Sequence, residues 1–334
     1  MAGPSIVDAI RVAEEIVRSK LELQPGEEVV VIADTYTDRQ ILDALAGAIA
    51  GAGGEFTIVI QTARPRPEEV HKLTRAVLRA YQEGDVIITA AGASSLSLYG
   101  SSSVLWPQLA AKKTRLFTLS EPSLRQMVEG ASAADYREVE QIGLRIIRSL
   151  EGADRVRVTT ALGTDITFRI GGRDLINLAS FARNPGDEGG IPSGEVSTDP
   201  VAGTAEGVVI ADGPIGNIER PPKPVRLVAR GGQWVEVAGE GAGVERLRHY
   251  FDTVENARNV AEFALGTNQW ARCTGVVSEE KKRLGVMHTA YGRSNRTADW
   301  RCEVWSKIHG DVVVYDVTVE AESKVIMRDG TLLV

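Results

Sequence analysis

Four short, almost uninterrupted apolar runs constrain the folding of this chain more than any other feature. They are Glu28-Val29-Val30-Val31-Ile32-Ala33, Phe56-Thr57-Ile58-Val59-Ile60, Asp85-Val86-Ile87-Ile88-Thr89 and Arg115-Leu116-Phe117-Thr118-Leu119. Each has strand length, and the lack of polar alternation means that neither face meets water, as in a strand buried within a parallel sheet. The stretches between them have helical spacing. Ile6, Ile10, Val12, Ala13, Ile16 and Val17 mark one helix, a second runs from about Asp38 to Ala52 with Gly53-Gly54 closing it, and Pro67-Glu68-Glu69 opens a third. Strands alternating with helices predict an α/β fold with an open, mostly parallel sheet covered on both faces.

Such sheets bind ligands at their strand ends, here Asp34-Thr35-Tyr36-Thr37 and Ala91-Gly92-Ala93-Ser94-Ser95. No Gly-x-Gly-x-x-Gly or Walker-type Gly-Lys-Ser/Thr follows a strand, so phosphate cradling has no support and a scaffold or dimerisation role is expected.

A long helix, roughly Ala134 to Leu150, leads into a different second half. From Asp154 the pattern is strand-rich: Val156 to Thr160 and Asp165 to Ile170 about the turn Ala161-Leu162-Gly163-Thr164, then Gly207 to Ala211, Val225 to Ala229 and Gln233 to Val237. The Gly-rich Asn184-Pro185-Gly186-Asp187-Glu188-Gly189-Gly190 reads as a loop. At 334 residues one core is not expected to suffice. The expectation is an open-sheet domain over residues 1–150 and a strand-rich α+β domain over 151–334.

The net charge of −7, with no basic block, argues against nucleic acid, and no stretch reads as a membrane span. The start enters a charged amphipathic pattern instead of a secretory signal, so a cytoplasmic setting is expected. Two cysteines, Cys273 and Cys302, with no Cys-x-x-Cys, are expected to be small buried side chains and not zinc ligands.

The chemistry gathers in the second half. Among only four histidines, His309 stands two residues before Asp311 at the head of a valine-rich run, and i, i+2 residues of a strand face one way. An imidazole and a carboxylate so placed can meet one metal ion or simply form a hydrogen-bonded strand-edge pair. His288 ends another apparent strand, Leu284 to His288, which runs on into a polar turn reaching Asn295. Gly190 to Pro200 reads as a Gly/Pro-punctuated loop presenting Glu195, and Ala257, Val260, Ala261, Ala264 and Leu265 fit a helix face that carries Glu262 and ends at Gly266.

In order and spacing these segments resemble the thermophilic-type metallo-aminopeptidases, the aminopeptidase T or S family. The motifs are Pro-x-Gly-Glu-x-x-Thr-x-Pro at Pro192 to Pro200, Ala-Glu-x-x-x-Gly-Thr-Asn at Ala261 to Asn268, Gly-x-x-His at Gly285 to His288, and His-x-Asp at His309 to Asp311. The resemblance covers the second half by motif and the first half by architecture. It implies a thermophilic metalloprotease-like fold, a homodimer, a small-molecule or short-peptide substrate, and Glu195, Glu262, His288, His309 and Asp311 as metal ligands. Three carboxylates and two neutral imidazoles suit two divalent ions, Zn, Co or Mn, with a metal-activated water attacking an amide bond and Glu195 shuttling the proton. The aminopeptidases carry their catalytic tyrosine further beyond the first histidine, at a place taken here by Ser294-Asn295, so Tyr291 or Arg293 would serve instead. A sister group typified by 2,5-dihydroxypyridine 5,6-dioxygenase is similar in length, and it implies one Fe(II) held by His288, His309 and Asp311. Between the two, the pair of glutamates favours the hydrolase.

Overall fold

The computed structural model describes residues 3–64, 73–91, 102–120, 123–218 and 220–334. The helix start expected at Pro67 and the strand-end residues 92–95 lie outside the described residues. The chain divides into two compact units, Met1–Asp135 with Leu178–Ser193, and Tyr136–Asn177 with Gly194–Val334. The sequence pattern predicts one boundary near residue 150. In the structure the helix Tyr136–Leu150 groups with the second unit, and residues 178–193 return to the first.

The first unit is built on a five-stranded parallel sheet in the order Glu55–Gln61, Glu28–Asp34, Val86–Ala90, Arg115–Leu119, Glu188–Ile191. Its strands are the four apolar runs plus one. The central Val86–Ala90 is buried along its whole length, as continuous apolarity requires, whereas the edge strand Glu55–Gln61 leaves Phe56 and Ile60 exposed. Asp38 caps the helix Arg39–Gly51 by accepting from the Gln40 amide, and Thr74 caps Arg75–Ala80 through Val77.

The fifth strand corrects an expectation, since Glu188-Gly189-Gly190 was read as loop. A Cβ on Gly190 would stand 2.6 Å from the Thr118 carbonyl oxygen and one on Gly189 2.3 Å from that of Ser180. These glycines permit close backbone approach inside a sheet instead of marking a turn.

The second unit holds an eight-stranded and a five-stranded sheet. The first runs Gln233–Ala238, Val225–Arg230, Glu206–Ala211, Asp165–Arg169, Arg155–Thr159, Thr318–Ala321, Lys324–Arg328, Thr331–Leu332, with antiparallel pairing throughout. The second runs His309–Val314, Met287–Gly292, Val260–Gly266, Glu195–Thr198, Ile176–Leu178. One apolar core joins them: Val156, Val158, Ile166 and Phe168 of the larger sheet pack in a cluster with Val196, Phe263, Leu265, Tyr291, Val312 and Val314 of the smaller. The rings of Phe168 and Phe263 lie 5.3 Å apart.

Further expectations are overturned here. Residues 260–266 form a strand paired on both sides, not a helix. All seven residues are buried and Glu262 is the one polar side chain among them, so the run lacks a polar alternation and matches helical spacing by chance. Glu195 likewise sits on a strand, Glu195–Thr198, and not on a loop, while the strand bearing His288 begins at Met287 and extends to Gly292. The cysteines are not core residues either. Cys273 is exposed and Cys302 half-buried, both in irregular segments outside the sheets. No helix among the described residues is long and apolar enough to cross a membrane.

Candidate metal centre

Strand register decides which side chains meet. Residues paired directly across antiparallel strands share a face, as do residues two apart along one strand. Glu195 pairs with Gly266. Ala264 pairs with His288 and Glu262 with Ala290. Ala290 pairs in turn with Asp311, and Gly292 with His309. Glu195, Glu262, His288, His309 and Asp311 therefore project from one face of the five-stranded sheet, the face turned away from the apolar core.

They converge. His288 Nε2 lies 3.3 Å from Glu195 Oε2 and 3.6 Å from Glu262 Oε1. His309 Nε2 lies 3.4 Å from Glu262 Oε2 and 3.3 Å from Asp311 Oδ1. Glu195, Glu262 and His288 form one group whose candidate ligand atoms lie within 4.8 Å of one another; Glu262, His309 and Asp311 form a second. Glu262 is common to both. Glu195, Glu262 and His288 are buried, yet Glu195 Oε2, Glu262 Oε2 and both ring nitrogens of His288 have no hydrogen-bond partner among the described residues. Buried polar atoms left unpartnered in such number are costly unless a cation binds them, and their N/O chemistry fits a divalent metal.

Neighbouring groups aim the ligands. The Nδ1–H of His309 donates to the Arg293 carbonyl at 2.6 Å, which turns the Nε2 lone pair toward Glu262 and Asp311. Ser197 Oγ donates to Glu262 Oε1 at 2.6 Å and accepts from Asn295 Nδ2 at 3.0 Å. Asn295 also donates its backbone N–H to Asp199 Oδ1 at 3.1 Å. Two lysines complete the cluster. Lys282 Nζ is 2.6 Å from Glu195 Oε1, and Lys281 Nζ is 3.1 Å from Asp311 Oδ2 and 3.9 Å from Glu195 Oε2.

The electrostatics follow from burial set against these partners. Burial pushes the Glu262 carboxyl up, but His288, His309 and Lys281 outweigh it and hold it well below the usual range. Glu195 is lowered in the same way, with Lys281 and Lys282 as the leading opponents of burial, and Asp311 by Lys281 and His309. Burial disfavours the charged form of His309, yet Asp311 and Glu262 lift it to about 10, so a proton and a metal compete for its Nε2. Asp199 goes the other way, raised to about 7 by burial first and by Glu262 second.

Of the seven residues singled out from sequence, five come together and two do not. Tyr291 lies on the opposite face: its ring packs edge-on to Phe251 at 5.6 Å, and its hydroxyl donates to the Gly216 carbonyl at 2.7 Å. An odd offset from His288 along the strand places it in the core, and burial pushes its phenol up. Arg293 contributes its carbonyl to His309, while its guanidinium stacks 4.9 Å from the Trp305 ring centroid. Lys281, Lys282, Ser197, Asp199 and Asn295 were absent from the sequence candidates. The one available signal was the charge run Glu279-Glu280-Lys281-Lys282-Arg283 abutting the Gly-x-x-His motif.

No curated protein matches the chain. Among solved structures, 2,5-dihydroxypyridine dioxygenase from Pseudomonas putida superposes with a TM-score of 0.77 at 16% identity over 98% of each chain. AmpT from Thermus thermophilus, an aminopeptidase, superposes with a TM-score of 0.73 at 18% identity, over 98% of this chain and 99% of its own. These likenesses establish the expected mixed α/β fold, and at that level alone the aminopeptidase resemblance holds. The sequence profile of the 2,5-dihydroxypyridine 5,6-dioxygenase family (NicX) matches residues 12–334, and the chain belongs to that family.

Proposed function

We propose that this protein is a metal-dependent ring-opening dioxygenase acting on a small hydroxylated nitrogen heteroaromatic. The match to the dioxygenase family over residues 12–334 carries this reading. His288, His309 and Asp311, with Glu262 in reach of both histidines, would hold one Fe(II). When bound there, the ion supplies the redox chemistry and the open positions that a ring substrate and O₂ need.

The chain's own groups do the rest. Ser197, backed by Asn295, holds one oxygen of Glu262 in place, and the Arg293 carbonyl fixes the tautomer of His309. A shallow, open depression adjoins this assembly, lined by Arg173, Ser197, Asp199, Asn295 and Arg296 among others. Ser197 belongs to both, so the edge of a ring held at this depression would lie next to the ligand cluster. Arg173 and Arg296 offer planar cations to an oxygen-rich ring edge. Asp199, poised at about 7, accepts a proton from a substrate hydroxyl at neutral pH.

One observation favours a second reading. Glu262 is shared by two candidate ligand groups, as a bridging carboxylate between two hydrolytic ions would be. The experiment is oxygen uptake with a panel of hydroxylated pyridines after anaerobic loading with Fe(II), run beside amine release from dipeptides after loading with Zn, Co or Mn. Stoichiometric O₂ consumption with loss of ring absorbance is expected. Amine release without oxygen consumption would replace the proposal with the hydrolase.

A further inference from the structure

Two lysine ammonium groups inside a cluster of candidate metal ligands are unexpected, because each occupies space and charge that an ion would otherwise take. Their side chains are 16% and 9% exposed, so water does little to screen them. The backbone pins them there. Residues 281 and 282 leave the short helix Val277–Glu280, the Lys282 amide donates to the Glu279 carbonyl at 3.1 Å, and the Lys282 carbonyl accepts from the Asn268 amide at 2.8 Å. Asn268 lies two residues beyond the strand Val260–Gly266, so the element that carries Glu262 also anchors the lysines.

Their contacts are unequal. Glu195 is held by Lys282 through Oε1 at 2.6 Å and has Lys281 3.9 Å from Oε2, beyond hydrogen-bond reach, whereas Asp311 gives Oδ2 to Lys281 at 3.1 Å and keeps Oδ1 beside His309. Glu262, the carboxylate common to both groups, has His288 and His309 as its ion-pair partners among the described residues, and Lys281 acts on it from further away. Once a metal has displaced the proton on His309, so that both imidazoles are neutral, three carboxylates against two ammonium groups supply a single negative charge. One divalent ion turns that to a single positive charge, whereas two would bring it to three, with both ammonium groups close by.

We infer that Lys281 and Lys282 are positioning residues that restrict this centre to one divalent ion, by neutralising Glu195 and denying it to a second metal. The inference rests on the metal centre of the proposed function but not on its oxygen chemistry. It also separates the two readings, because a bridging hydroxide needs two ions and a facial set needs one.

The test uses Mn²⁺ and Zn²⁺ as probes on the full-length protein, read by calorimetric titration and by elemental analysis after dialysis. Wild type should bind one ion per chain. Lys281→Met with Lys282→Met should bind a second ion at least tenfold more tightly than wild type does, approaching two per chain, while Lys281→Arg should stay at one. Should the double variant fail to fold, Lys281→Met alone, altering the more exposed of the two, should still strengthen second-ion binding several-fold. Two ions in wild type, or one ion and unchanged second-site affinity in the folded lysine variants, would overturn the inference. A protein that takes up one ion but consumes no O₂ would sink the dioxygenase reading and leave the role of the lysines standing.

Discussion

Asp199 shows how much a single residue's surroundings decide. It lies next to the cluster and accepts a hydrogen bond from the Asn295 amide at 3.1 Å. Burial and the charge of Glu262 raise it to about 7 from 3.8. The folded protein therefore keeps a proton that the unfolded chain releases near 3.8, and the resulting stability is fully present below that pH and lost as pH rises through about 7. Asp199→Asn removes the titration while keeping an oxygen for the Asn295 amide. In metal-free protein, the variant should gain about 1–3 kcal/mol on wild type between pH 5 and pH 8. Denaturant unfolding at the two pH values measures this, and an equal gap at both would mean that Asp199 is ionised throughout. The same substitution should slow turnover at neutral pH, since Asn accepts no proton.

At the scale of elements, the site is a consequence of strand parity. The Met287–Gly292 strand sends His288 to the ligand face and Tyr291 to the core, so the tyrosine is given packing and not chemistry. Gly310, between His309 and Asp311, explains the fit: a Cβ there would stand 2.3 Å from Tyr291 Cζ, so the ring lies flat over the backbone that joins two ligands. Tyr291→Phe forfeits one hydrogen bond, about 1 kcal/mol, and should leave kcat within a few-fold of wild type. Gly310→Ala forces the ring or the strand aside, which should cost about 1–3 kcal/mol and weaken metal binding. A kcat loss of a hundredfold or more in a well-folded Tyr291→Phe protein would restore the phenol to the chemistry. Parity also explains what could be read in advance. The parallel sheet was legible because its inner strands are buried on both faces and bounded by capped helices. Residues 260–266 are buried throughout too, but their apolar positions fit a helix face as well as a strand and Gly266 reads as a helix stop, so the sequence alone points to a helix. The five ligands were legible by residue type and order, which survive without knowledge of the fold. Lys281 and Lys282 were not, because a charge run looks solvated until tertiary pairing folds it back over Glu195.

For the whole molecule, all five candidate ligands belong to the second unit, and none lies in Met1–Asp135 or Leu178–Ser193. They come from four strands spread over residues 195–311, so an unfolded chain presents them as isolated weak donors. A divalent ion that binds the assembled cluster thus binds the native state almost alone, and it must stabilise that state by mass action. At a free concentration a hundredfold above Kd the gain is about 2.7 kcal/mol, reduced by whatever the unfolded histidines and cysteines retain. For a unit of this size that corresponds to a rise in Tm on the order of 5 °C. Glu262→Gln should abolish most of the rise, since Glu262 is the carboxylate that both ligand groups share and that sits between the two histidines. Scanning calorimetry of chelator-treated and Mn²⁺-loaded protein, wild type beside the variant, checks the linkage. If the first unit unfolds in a transition of its own, that transition should not respond to the ion. Equal midpoints with and without metal in wild type would mean that the five side chains are a hydrogen-bonded polar cluster and not a metal centre. An undiminished shift in Glu262→Gln would mean that the ion sits elsewhere, and the ligand set would have to be redrawn without its central member.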